Sequence, residues 1–149
     1  MAEADTLPRR PESVLVVVCS SDGEVLLLQR RAPFAFWQSV TGSLETGESH
    51  GDAAARELFE ETGLAAGASL EYSGNLRIFD IDPRWRHRYV AGITQNTEYE
   101  WRCRVAARIA VRLDADEHVD ACWPPIEAAI KRVWSWTNRE ALESLRAML

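Results

Sequence analysis

Lysine is almost missing from this chain: of 17 basic residues only Lys131 is not arginine. Its positive charge therefore sits on planar guanidinium forks suited to bidentate contact with phosphate oxygens, a bias that genomic base composition also produces. A net positive charge is missing as well, the formal balance being −6. That argues against a general nucleic-acid coat, which needs many phosphate contacts from a basic surface, whereas a small polyphosphate needs only local positive charge. No apolar run nears the roughly 18 residues of a membrane span, and no basic, apolar, small-residue leader opens the chain. The expectation is a cytoplasmic protein with no membrane and no nucleic-acid polymer as partner. Cysteine is scarce: Cys19, Cys103 and Cys122 are odd in number and lack metal-ligand spacing. They read as reduced structural thiols of the cytosol, not as a disulfide framework or a nucleophile. Repeats and low-complexity segments are absent.

With 149 residues, 46% of them hydrophobic, the chain is long enough for one domain with a real core. Residues 1–10 are polar and expected to be a flexible segment ahead of a single domain at 11–149. Ser13–Ser20 is a β-branched apolar run, and with Glu24–Gln29 it predicts a hairpin around Asp22-Gly23. Trp37–Thr41 predicts a short strand, Ser49–Thr62 a helix, Leu70–Ile81 and Glu98–Val111 long strands, and Val119–Trp123 another. Asp82–Asn96 is a long polar link. Pro125 suits the first turn of a helix to Val133, and Thr137 with Glu140 forms a capping box for a last helix. Strands and helices that do not strictly alternate predict an α/β sandwich with a mixed sheet rather than a doubly wound sheet.

Residues 42–64 hold the most specific signal, with Gly42, Glu48, Arg56, Glu57, Leu58, Glu60, Glu61, Gly63 and Leu64 in the spacing G-x5-E-x7-R-E-U-x-E-E-x-G-U, where U is aliphatic. At ordinary residue frequencies a chance match in this chain has odds on the order of 10⁻⁸. A helix turns about 100° per residue, so Glu57, Glu60 and Glu61 fall within an arc of about 100°. Ala54, Ala55, Leu58 and Phe59 form the opposite side, able to dock on a core while the carboxylates face a cleft. Like charges at these offsets repel by a few tenths of a kcal/mol per pair unless a cation lies between them, and hard oxygen ligands with room for water suit Mg²⁺ or Mn²⁺. Ser49 and Asp52 form an N-cap pair, and Gly63 stands where the helix ends. Arg56 reads as a structural partner of Glu48, and Gly42 and Gly47 as positions where the backbone must come close to metal or phosphate.

This spacing is identified as the Nudix box, and the chain resembles the Nudix hydrolase family. The resemblance implies a Nudix-type α/β/α sandwich, with Glu57 and Glu61 as metal ligands and Glu60 as a further ligand or the general base. The residues alone do not divide Glu57, Glu60 and Glu61 into base and ligands, so Glu57 and Glu60 both stand as catalytic candidates. Glu117, in Asp-Ala-Asp-Glu-His, is the candidate for a further ligand from a late loop. Further segments, Trp37–Ser43, Arg86–Tyr89, Gly92–Thr94, Asn96–Glu98 and Ser135–Arg139, resemble the dihydroneopterin triphosphate pyrophosphatase branch over roughly Arg9 to Glu143. That resemblance implies Mg²⁺-dependent cleavage of a pterin triphosphate to the monophosphate and pyrophosphate in folate synthesis, with side activity on (deoxy)nucleoside triphosphates. It implies substrate contacts from Arg9, Arg30, Thr41 and Ser135, a pterin pocket lined by Phe79 to Asp82, and a phosphate contact or acid at His87. Trp37 is the tryptophan expected nearest a ring slot. The competing readings are a general nucleoside triphosphate or RNA-end pyrophosphatase, and a nucleotide-binding module without catalysis. The complete carboxylate stripe favours a catalyst.

Overall fold

The computed structural model describes residues 7–65 and 67–149. Seven strands and three helices follow in the order β1 (Glu12–Ser20), β2 (Leu27–Arg30), β3 (Phe36–Gln38), β4 (Val40–Ser43), α1 (His50–Thr62), β5 (Leu70–Asp80), β6 (Gln95–Val105), β7 (His118–Cys122), α2 (Ile126–Arg132) and α3 (Trp136–Arg146). One sheet has the order β4-β1-β6-β5 and a second the order β3-β2-β7. β1 and β6 are parallel and the other pairs antiparallel, so the four-stranded sheet is mixed.

β1 is apolar from Val14 to Cys19 because both of its faces are covered there. Val14, Val16 and Val18 pack with Leu58, Ala53 and Ala54 of α1. Leu15, Val17 and Cys19 pack with Ile126, Ile130, Leu142 and Leu145 of α2 and α3. The sheet is thus the middle layer of an α/β/α sandwich. Val25 and Leu27 join the second of these clusters while Leu26 and Leu28 join the first, which ties the two sheets together.

Four strand and cap expectations change, each for a tertiary reason. The hairpin at Asp22-Gly23 forms over its first residues, with Gly23 at φ 80, the Ser20 amide donating to Glu24 O at 2.8 Å, Cys19 bridging Val25 and the Leu26 amide donating to Val18 O at 3.0 Å, but from Leu27 the chain leaves β1 and β2 pairs with β3 and β7. The expected strand Trp37–Thr41 breaks at Ser39 into β3 and β4, which join different sheets. The buried Ser39 is held there by Asn138 of α3, which accepts from its amide at 2.8 Å and donates to its hydroxyl at 3.0 Å. The expected strand to Val111 stops at Val105, where β1 ends at Ser20 and pairing partners run out. The last helix is capped by Ser135, whose Oγ accepts from the Asn138 amide at 3.1 Å, rather than by Thr137, which lies buried.

Candidate active site

α1 is set by its own sequence: Ser49 Oγ accepts from the Asp52 amide, and Gly63 adopts φ 81 so that its amide reaches Phe59 O. Its docking face is Ala53, Ala54 and Leu58, joined by the buried Glu61 and Thr62, whereas Ala55 and Phe59 face outward. Glu61 lies two turns after Ala54, on the same side of the helix, so the expected stripe divides by depth. Glu61 is 1% exposed, the Glu57 side chain 13%, and that of Glu60 52%.

The sequence beyond α1 adds two groups to Glu61. The β2–β7 pairing, irregular between Gln29 and Arg30, sets His118 opposite Arg30. Glu61, Glu117 and His118 then offer ligand atoms that all lie within 4.8 Å of one another. His118 Nε2 is 3.6 Å from Glu61 Oε1 and 3.4 Å from Gln38 Nε2. Burial, reinforced by the charge of Arg30, depresses the imidazole to about 4, so this is a neutral ring beside a carboxyl rather than an ion pair. Burial and then Glu57 and Glu117 push Glu61 well above the usual carboxylate range. Burial also raises Glu57, against the pull of Arg56.

Arg56 gathers the loop before α1. Its Nε and Nη2 donate to Glu48 at 2.8 and 2.9 Å, its Nη2 also to Ser43 O at 3.1 Å, and its Nη1 to Glu57 at 2.7 Å and Glu60 at 3.2 Å. Hydrogen bonding from Arg56 holds the Glu48 carboxyl below the usual range. Gly42 needs no unusual φ; its hydrogen faces α1, and a Cβ there would collide with the Glu57 carboxylate. Gly47, by contrast, adopts φ 75.

Of the residues expected to meet substrate, Arg9 and Arg30 converge with Arg88. The Arg9 amide donates to Arg88 O at 2.7 Å, and Arg30 Nε is buried without a partner among the described residues. Burial, then the charges of Arg9 and Arg30, lower the Arg88 guanidinium, with Glu117 acting the other way. Thr41 donates its hydroxyl to Val14 O at 2.8 Å. Phe79 is half-buried on β5 opposite Asn96, and Ser135 caps α3. Asp82 pairs with Arg84 at 2.9 Å and His87 is exposed in the turn Arg86–Arg88. Trp37 is partly buried and packs against the core under α2 and α3; a separate aromatic cluster joins the buried Phe36 to the half-buried Phe34 and Trp85 and the exposed Trp134, with the Arg84 guanidinium 4.3 Å over Phe34. Residues 1–6 of the expected flexible segment lie outside the described residues, while Arg10 is tied to Glu12 and to the carbonyls of Glu45 and Glu48.

The NUDIX domain family model matches residues 9–145. The chain belongs to the Nudix family. It is 41% identical over 143 residues to the dihydroneopterin triphosphate diphosphatase of Escherichia coli strain K12, covering 93% of this chain and 94% of that one. The corresponding protein of Haemophilus influenzae is 37% identical, over 89% and 85% of the two chains. The solved structure of the E. coli dihydroneopterin triphosphate pyrophosphohydrolase superposes with a TM-score of 0.87 at 38% identity, covering 93% of this chain and 97% of that one.

The residues of this Nudix site fit a hard divalent cation. Both oxygens of the buried Glu61 lack a hydrogen-bond donor among the described residues, and two further carboxyls crowd it. A cation with oxygen ligands relieves that crowding. Sequence reasoning passed over His118 and Arg88. Their only local signals were adjacency to Glu117 and a place in the Arg86-His87-Arg88-Tyr89 segment. Among the described residues no helix is long and apolar enough to cross a membrane.

Proposed function

We propose that this Nudix protein hydrolyses dihydroneopterin triphosphate to the monophosphate and pyrophosphate, with Mg²⁺ as its cofactor and Mn²⁺ able to substitute, in the cytosol where its free thiols stay reduced. The observation that carries the reading is the convergence of Glu57, Glu61 and Glu117 with Arg9, Arg30 and Arg88. Three carboxylates beside three guanidiniums complement a polyphosphate and the cation that accompanies it.

Glu57, Glu61 and Glu117 would hold the cation, with Glu60 alongside. When bound, it neutralises charge on the phosphates and acidifies the attacking water. Arg9, Arg30 and Arg88 hold phosphate oxygens. Ser135, Thr41 and the segment Phe79 to Asp82 border the rest of the substrate, and His87 meets its phosphates from the link. Water attacks a phosphorus flanking the first anhydride bridge; that bond breaks, pyrophosphate leaves, and the water proton passes to a glutamate. The base is one of Glu57 and Glu60. Arg56 engages both, so each is oriented before substrate arrives. Gly42, Glu48, Arg56 and Gly63 form the scaffold that places them.

The test is turnover with Mg²⁺ on dihydroneopterin triphosphate beside a panel of ribo- and deoxynucleoside triphosphates, with pyrophosphate and phosphate measured separately. A strong preference for the pterin with pyrophosphate as product is expected. Equal turnover of nucleotides would replace the reading with a general pyrophosphatase, and no release from any substrate would replace it with a binding module.

A further inference from the structure

We infer that Glu98 and Asn96 of β6 form the ring-recognition wall of the substrate site, a pair of buried acceptors that takes the adjacent N–H donors of a pterin-like or guanine-like heterocycle. This rests on the reading above that the substrate carries such a ring.

The two residues are separated by one along β6, so their side chains share a face. Pairing of Glu98 with Ser13 turns that face toward α3, where the Thr137 hydroxyl meets the Glu98 carboxyl. Asn96 is 1% exposed and Glu98 6%. Asn96 Nδ2 donates to Ser13 Oγ at 2.8 Å, which leaves its Oδ1 without a donor. Glu98 Oε1 has none either. The nearby cation does not supply one: Arg77 donates to Glu100 at 2.7 Å and to Glu140 at 3.2 Å. A buried acceptor without a donor costs about 1–3 kcal/mol, and two side by side call for an explanation.

Their position supplies one. Across the sheet Glu98 neighbours Ser13, and Ser13 neighbours Ser43, whose carbonyl accepts from Arg56 and whose preceding residue Gly42 abuts Glu57. The acceptors therefore lie two strand spacings, about 10 Å, from β4, whose Thr41 shares their face of the sheet beside Leu15 while its Gly42 meets Glu57 on the other face. That separation suits a substrate with its ring at one end and its phosphates at the other. Phe79 stands opposite Asn96, offering an apolar flank to a ring, and Ser135 and Thr137 close the wall at the start of α3. A carboxylate accepts two parallel hydrogen bonds, which matches a ring N–H next to an exocyclic amino group. Adenine presents a donor beside an acceptor at the corresponding edge, so this wall selects against it.

The experiment is Glu98→Gln, checked for folding by circular dichroism and assayed on dihydroneopterin triphosphate, dGTP and dATP with Mg²⁺. The pterin-to-dATP and dGTP-to-dATP ratios of kcat/KM should each fall roughly 10- to 100-fold, chiefly through KM, as expected when a charged acceptor for paired donors is lost. Equal losses on all three substrates, or unchanged ratios, would overturn the inference. If the variant does not fold, the wild-type protein decides: neopterin and guanosine should inhibit dATP hydrolysis competitively while adenosine does not, and equal inhibition by all three refutes the wall. A wild-type protein that ignores the pterin triphosphate would defeat the proposed substrate, and the dGTP-to-dATP ratio would still judge Glu98.

Discussion

Replacing Glu98 by glutamine should change how stability depends on pH, and the size of the change follows from the site. Burial lifts the Glu98 carboxyl from 4.5 to about 7, against the Thr137 hydroxyl and the charge of Arg77. Each pH unit of that rise is worth about 1.4 kcal/mol, so ionising Glu98 inside the fold costs about 3 kcal/mol. The sign follows from proton binding. Between pH 4.5 and 7 the folded chain holds a proton on Glu98 that the unfolded chain has released, so stability falls as pH rises through that window and levels off above it. Glutamine is neutral throughout and removes this slope. The charged groups facing the position, Arg77 on β5 and Glu100 on β6, are the same in both proteins, as is Glu140 of α3, which shares Arg77. The wild-type minus variant difference therefore isolates Glu98 even though Glu57 and Glu61 are also raised by burial. Urea melts at pH 5 and pH 8 measure it. Relative to wild type, the variant should gain about 3 kcal/mol on going from pH 5 to pH 8, or roughly 6–12 °C in Tm for a chain of this size. Parallel pH profiles for the two proteins would refute the placement of an uncompensated carboxyl between β6 and α3.

Glu61→Gln should lower turnover by at least about 100-fold and weaken Mn²⁺ binding by calorimetry while leaving the fold intact, since it removes charge and not volume; undiminished Mn²⁺ affinity would count against Glu61 as a ligand. Arg56→Ala strips the partner from Glu48 and Glu57, both largely buried, and should cost about 2–4 kcal/mol in denaturant melts. A midpoint that does not move would show Arg56 to be dispensable to the scaffold. Gly42→Ala drives a methyl group into the Glu57 carboxylate and should depress kcat with little loss of stability, because the glutamate can swing away; wild-type kcat would mean that Glu57 need not stay where it is.

What the sequence determined about this Nudix protein is what a helix or a turn settles locally. Ser49 and Gly63 bound α1 by their own hydrogen bonds and φ, Glu57, Glu60 and Glu61 share an arc because 100° per residue leaves no alternative, and Gly23 makes the turn after β1. The tertiary structure decided how deep each carboxylate lies. Glu61 is buried and Glu60 half-exposed because Ala54, Leu58 and Glu61 sit on the side that meets β1 and β4. It also broke one expected strand at Ser39, held by an asparagine 99 residues away. The same pairing registers brought His118 to Glu61, Arg88 to Arg9, and Thr137 to Glu98. Each of these contacts joins segments far apart in the chain, and no local pattern encodes them. They arise when β1, apolar on both faces, takes β6 as its parallel neighbour and α3 closes over the joint, because strand register fixes every cross-strand neighbour at once.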